Sequence, residues 1–236
     1  MTHTTEQPDY DAFLRAKIRM AHFTGHDLPP DGVHPTLFPH QRDIVRWAVQ
    51  GGNRAIFASF GLGKSIMQCE WLHQVGEVDP KRPNLIVAPL GVRQELMRDA
   101  RLVDMDLAFI RSDGDVQPGH HYYLTNYESV RDGKLDPRQF GAVSLDEASV
   151  LRSFGSKTYQ SFMQKFKGIK YKLTNTATPS PNRYKELIHY AGFLEIMDTG
   201  QSLTRFFKRD STKANNLTLY PGREREFWIW CASWGL

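Results

Sequence analysis

The sequence predicts an α/β fold, a mostly parallel sheet flanked by helices, with a helical extension before it and an aromatic helix after it. Three observations carry that prediction. A glycine loop, Ala58-Ser-Phe-Gly-Leu-Gly-Lys-Ser65, stands between a short apolar run, Ala55-Ile-Phe57, and an amphipathic run, Ile66 to Leu72. Further apolar runs of strand length recur along the chain, each followed by turn residues and then a helical pattern. An acidic pair, Asp146-Glu147, closes one of those runs.

The glycine loop has the parts that a polyphosphate requires. Glycines let backbone N–H groups turn inward, a lysine reaches the β/γ-phosphates, and a neighbouring hydroxyl meets Mg²⁺. Gly61, Gly63, Lys64 and Ser65 supply them, and the helix opening at Lys64 adds its positive N-terminal end. The stretch therefore reads as a nucleoside triphosphate cradle.

Composition sets the outer bounds. At 236 residues the chain can bury one large core, and 40% hydrophobic with 24% charged residues fits a globular protein. Thirty Lys+Arg against 26 Asp+Glu give a net charge of +4, which permits a polyanionic partner without demanding one. Cys69 and Cys231 are far apart and lack metal-ligand spacing, so two buried thiols in a reducing compartment are expected. No stretch has the apolar length of a membrane span and Met1 to Pro8 lacks the pattern of a secretory signal, so the expected location is the cytoplasm.

Taken in order, Asp9 to Phe23 has helical spacing at Leu14, Ile18 and Ala21. His22, His26 and His34 lie beside it in a Gly- and Pro-punctuated segment and read as solvated loop histidines. Leu37-Phe-Pro-His-Gln41 leads into a helix, Arg42 to Val49. Gln41 can cap that helix or offer the donor and acceptor that complement an adenine edge. After the cradle, Leu85-Ile-Val87 predicts a buried strand, Ala88-Pro-Leu-Gly91 a loop, and a helix follows to about Val103.

Asp106 to Ile110 and Tyr122 to Thr125 predict two more strands. Thr125, Asn126 and Tyr127 at the second strand's end suit contacts to a sugar-phosphate chain, with packing the commoner role for the tyrosine. At the end of Phe140 to Leu145, Asp146 can hold the metal's hydration shell and Glu147 can orient or deprotonate a water. Thr158 to Phe166 predicts a helix and Lys170 to Leu173 a strand. The stiff polar loop Thr174 to Asn182 then suits sensing of the γ-phosphate or of the acidic pair, before a helix from Arg183 to Phe193.

In this order the motifs resemble motor domain 1 of superfamily 2 helicases, with the nearest likeness to Swi/Snf-type DNA translocases and their phage-encoded relatives. Phe38 to Gln41 looks like the adenine-reading motif, Ala58 to Ser65 like motif I, and Ala88-Pro-Leu90 like motif Ia. Thr125 to Glu128 is similar to the Thr-x-Tyr segment, Leu145 to Ser149 to the DEAD/DEAH box, and Leu173 to Asn182 to motif III. The resemblance implies a RecA-like P-loop NTPase domain over 37–200, a helical extension over 1–36, and a helical segment over 201–236 leading toward a second motor domain. It implies ATP held by Gln41 and by Ser59, Phe60, Gly61, Leu62, Gly63, Lys64 and Ser65. Mg²⁺ would sit on Ser65 and Asp146, with Lys64, Asp146 and Glu147 catalytic.

DNA, duplex or single-stranded, would meet Pro89, Leu90, Gly91, Thr125, Asn126, Tyr127, Thr178 and Pro179. Nothing in the chain matches motifs IV to VI, whose Gln-x-x-Arg-x-x-Arg arginines complete the ATP site in that superfamily. The resemblance therefore implies the first half of such a motor, in a bacterial or phage-infected cell, with a second RecA-like domain in cis or in trans. Alone it should bind ATP and hydrolyse it slowly, since an arginine finger contributes about 10³–10⁵ in turnover. Two other functions fit the residues: a P-loop switch without nucleic acid, and a non-enzymatic module binding a protein or DNA. The aromatic tail, Phe206-Phe207 and Phe227 to Trp234, packs on the domain's own core or, if uncovered, favours self-association.

Overall fold

The computed structural model describes residues 20–153, 155–180, 183–209 and 217–236. The helix expected over Asp9 to Phe23 falls largely outside the described residues, and 20–23 are not helical. From there the order is α1 (Pro39–Gly51), β1 (Asn53–Phe57), α2 (Lys64–Gly76), β2 (Asn84–Ala88), α3 (Arg93–Arg101), β3 (Leu107–Phe109), β4 (Tyr122–Asn126) and α4 (Tyr127–Arg131). Then come β5 (Ala142–Leu145), α5 (Lys157–Lys165), β6 (Tyr171–Thr176), α6 (Leu187–Phe193), α7 (Thr199–Phe206), β7 (Phe207–Arg209), β8 (Leu217–Leu219) and α8 (Glu224–Ala232).

Six strands form one parallel sheet in the order β1-β6-β5-β2-β4-β3. Each strand is an apolar run because helices cover both faces, and residues alternate between two cores. Leu85 and Val87 of β2 face one core and Ile86 and Ala88 the other; Ala55 and Ile56 of β1 divide the same way. Helices α1, α2 and α3 close the second core through Val45, Trp71 and Leu96, while α5, α6 and α8 close the first through Phe162, Ile188 and Trp230. Glu70, fully buried on α2, accepts from His34 N–H at 3.0 Å and Gln74 Nε2 at 2.8 Å and so ties the segment before α1 to α2.

The tail turns inward. Phe206, Phe227, Trp230 and Trp234 have no exposed surface, and truncating one such ring to alanine typically costs about 3–5 kcal/mol. The last residues lie parallel to β1: Ala55 N–H donates to Trp234 O at 2.8 Å and Leu236 N–H to Ala55 O at 3.1 Å. The edge of β1 is thereby paired rather than open. This corrects the expectation of self-association through the aromatic segment, because the rings that motivated it are inside; Trp228 alone of the segment's large rings stays exposed, edge-on to Tyr184 at 5.0 Å. An antiparallel pair, β7 with β8, was not foreseen in the sequence.

Candidate nucleotide site

Parallel strands bring their carboxyl ends to one edge, and the sheet order decides which loops meet there. Phe57, the last residue of β1, pairs with Thr176 at the end of β6, and Thr174 pairs with Leu145 at the end of β5. The glycine loop, the threonine loop and the acidic pair therefore follow three adjacent strands, the outer two roughly 10 Å apart at ordinary strand spacing.

The loop has left-handed backbone at Gly61 (φ +82°) and Gly63 (φ +76°), which L side chains adopt only at a cost. At Gly63 a Cβ would also lie 2.3 Å from Gln41 Nε2 and displace that amide from the loop. Gly63 is the N-cap of α2 and supplies no side-chain cap, so N–H groups of the helix's first turn remain available to an anion. Lys64 folds back, donating from Nζ to Ala58 O at 2.9 Å and Ser59 O at 3.1 Å, with the exposed Phe60 ring 5.1 Å away. Leu62 is also exposed, and Ser65 stands half-buried at the helix start.

Asp146 is 7% exposed and Glu147 half-buried. Burial pushes the Asp146 carboxyl up to about 6; the Glu147 N–H and the Lys64 charge oppose that rise, and the Glu147 charge adds to it. The Lys64 charge is thus near enough to favour ionised Asp146, although its Nζ rests on Ala58 O and Ser59 O. Glu147 is held at φ +47°, an uncommon state for a side-chain-bearing residue that costs of order 1 kcal/mol and aims its carboxylate across the sheet edge. There Thr176 Oγ1 donates to Glu147 Oε1 at 3.0 Å and accepts from Thr178 N–H at 3.1 Å. Arg152 closes the circle, donating to Ser149 O and, at 3.2 Å, to Thr178 O. The sequence reading did not single out Thr176 or Arg152; the only cue was the hydroxyl-rich loop.

A buried carboxylate destabilises the fold once it ionises. Asp146 binds its proton more tightly in the folded chain than the ordinary value of 3.8 allows, so stability falls as pH rises from about 4 through about 6. Asp146→Asn should raise stability at pH 7 by about 2–3 kcal/mol in urea unfolding, with little gain near pH 4. The same charge suits a cation. No group of three or more His, Cys, Asp or Glu among the described residues could hold a metal, whereas Mg²⁺ usually takes only one or two protein ligands and completes its shell with phosphates and water. Ser65 and Asp146 fit that requirement.

Other candidates are distributed unevenly. After β2 the half-buried Pro89 caps a single turn, Leu90–Val92, in which Leu90 and Gly91 are exposed, and the Asp146 N–H donates to Val87 O at 2.8 Å, which sets this turn beside the acidic pair. Thr178 is exposed and Pro179 half-buried on the threonine loop. Thr125, Asn126 and Tyr127 point inward, which corrects the reading of Thr125 and Asn126 as contacts to a sugar-phosphate chain and gives Tyr127 the packing role expected as its commoner one. Thr125 donates to Ile110 O, Asn126 caps α4 by accepting from Ser129 N–H, and Tyr127 donates to Asp146 O at 2.7 Å while stacking on Phe162. Gln41, 5% exposed, accepts from Phe38 N–H at 2.9 Å and donates to Leu62 O at 3.1 Å, so it caps α1 and braces the glycine loop. One amide hydrogen and one lone pair of Gln41 remain for a base.

No protein-family model matches the chain. Over 210 residues it is 28% identical to the Chromodomain-helicase-DNA-binding protein 3 homolog of Caenorhabditis elegans, covering 72% of this chain and 12% of that protein. Over 224 residues it is 27% identical to the putative ATP-dependent helicase/translocase YwqA of Bacillus subtilis, covering 86% of this chain and 24% of that one. Its fold is that of the Sulfolobus solfataricus SWI2/SNF2 ATPase core solved in complex with dsDNA, with a TM-score of 0.71 at 18% identity over 89% of this chain and 46% of the other. The UvsW helicase from bacteriophage T4 is more distant, with a TM-score of 0.52 at 15% identity over 78% of this chain and 64% of that one. The chain thus spans a quarter or less of these two curated relatives and about half of the archaeal core. It resembles a first RecA-like domain of the superfamily 2, Swi/Snf type.

Proposed function

We propose that the chain is the ATP-binding motor half of a DNA helicase or translocase, whose ATP hydrolysis is stimulated by nucleic acid. One observation carries the reading: a glycine loop, a threonine bonded to a glutamate, and an aspartate under the influence of Lys64 follow three adjacent strands. Lys64 leaves its carbonyl partners to grip the β/γ-phosphates, joined by the open N–H groups at the start of α2. Ser65 and Asp146 would hold Mg²⁺, which would neutralise charge developing on the phosphate oxygens. Glu147, braced by Thr176, orients the attacking water and takes its proton. Gln41 meets the adenine with its remaining donor and acceptor.

DNA runs over the turn Pro89–Gly91 and the loop at Thr178 and Pro179, on the edge that also carries the nucleotide. A change at the phosphates reaches that surface through Glu147, Thr176 and Thr178. A second RecA-like domain, in cis or in trans, supplies the arginines that speed turnover and the closure that moves the track. The test is ATP turnover with and without duplex DNA across a salt series. A slow basal rate that DNA raises, less so at high salt, is expected; a rate indifferent to DNA and salt points to a P-loop switch without a nucleic acid partner.

A further inference from the structure

A cleft of about 730 Å³ runs along the outer edge of β3, at the flank of the sheet farthest from β1. Five strand spacings, roughly 24 Å, separate that flank from the glycine loop's strand. Arg93, Phe109, Arg111, Gln117, His120 and Tyr123 are among its lining residues. Arg93 stacks its guanidinium 4.1 Å from the Phe109 ring centroid, and the Arg111 guanidinium lies 5.9 Å from the same centroid. Neither guanidinium has a salt bridge among the described residues.

The nearby acids are otherwise engaged. Asp115 accepts from Arg111 N–H, Ser112 N–H and the Ser112 hydroxyl, and Asp106 stands 3.7 Å from His120 Nδ1. An arginine held against an aromatic ring keeps N–H donors with which it can grip an anion in two-pronged fashion. Asp106 and Asp115 also line the cleft, and the exposed Asp115 charge attracts Arg111, but neither guanidinium is ion-paired among the described residues, so both can turn to a polyanion.

Position selects the polyanion. Arg93 opens α3 just after the Pro89–Gly91 turn, and Arg111 follows β3, so both lie at the carboxyl edge of the sheet. Both guanidiniums lie over one ring, 4.1 and 5.9 Å from its centroid, close enough together to meet neighbouring phosphates of one strand. We propose that Arg93 and Arg111, steadied by Phe109, grip the phosphate backbone of the nucleic acid as it passes the flank of the sheet beyond the Pro89–Gly91 turn. The proposal rests on the nucleic-acid reading above and adds a second, separable anchor.

The test is fluorescence anisotropy of a short labelled DNA duplex against Arg93→Gln, Arg111→Gln and Phe109→Leu chains at several salt concentrations. Each arginine variant should bind about three- to tenfold more weakly and lower the salt slope by about 1. Phe109→Leu should weaken binding by about twofold with the slope unchanged, because the charges stay and only their orientation is lost. ATP affinity should be unaffected in all three, which separates a lost anchor from a damaged fold. Lys170→Gln, at the opposite edge of the sheet before β6, should bind the duplex as the parent does. Wild-type affinity and slope in both arginine variants, or an equal loss in Lys170→Gln, overturns the anchor and leaves the nucleic-acid reading standing. A parent chain that binds no duplex overturns both.

Discussion

Lys64→Ala is expected to lower the affinity for ATP by about a hundredfold or more, with the fold intact. The lysine is the cation aimed at the loop, and charge-assisted hydrogen bonds to phosphate are roughly twice as strong as neutral ones, so losing two of them amounts to ~3 kcal/mol. In the free chain those same donors rest on Ala58 O and Ser59 O, in one part-buried and one exposed hydrogen bond. Their loss removes two exposed or half-buried contacts, and thermal unfolding should hardly move. Titration calorimetry with ATP and magnesium, paired with a melting curve, separates the two effects. A variant that keeps the parent's affinity would remove the lysine from the site.

Glu147→Gln should do the opposite: ATP binds within about threefold of the parent, while turnover falls by about 10²–10⁴, the usual contribution of a positioned base. The amide keeps the size of the side chain and can still accept from Thr176 Oγ1, so the left-handed backbone at 147 and the bond across the sheet edge survive. Only proton acceptance is lost. Single-turnover hydrolysis with bound ATP reads this directly; unchanged turnover would assign the water to another residue.

These two residues were legible in the sequence because their motifs combine an unusual residue type with a forced position: glycines and a lysine between strand and helix, an acidic pair at a strand end. The parallel sheet was legible for a related reason. Strands buried on both faces leave uninterrupted apolar runs such as Leu85-Ile-Val87, and helices on both faces leave periodic ones. What the sequence hid was the direction of polar side chains at strand ends. Asn126 and Gln41 have the chemistry to meet a ligand and the same chemistry to cap a helix, and in the folded chain both are caps. Thr125 and Tyr127 bond backbone carbonyls, Ile110 O and Asp146 O, that local sequence does not reveal as neighbours.

The tail follows the same logic. Its aromatic density signalled a packing surface, but only the fold determines that Trp230 and Trp234 turn onto the domain's own sheet and that Trp234–Leu236 pair with β1. The Thr176–Glu147 bond likewise depends on β6 lying between β1 and β5, an order no local pattern encodes.

The account rests most heavily on Asp146 and Lys64 acting on one magnesium-bound triphosphate, and ATP binding measured by calorimetry at neutral pH, with magnesium and then with a chelator, tests it directly. The parent chain should release heat with magnesium and bind markedly more weakly without it, and Asp146→Asn should bind ATP with that magnesium dependence clearly reduced, Ser65 and the phosphates still holding the ion. Folded parent protein that gives no heat with ATP and magnesium, or an Asp146→Asn chain as magnesium-dependent as the parent, would contradict it.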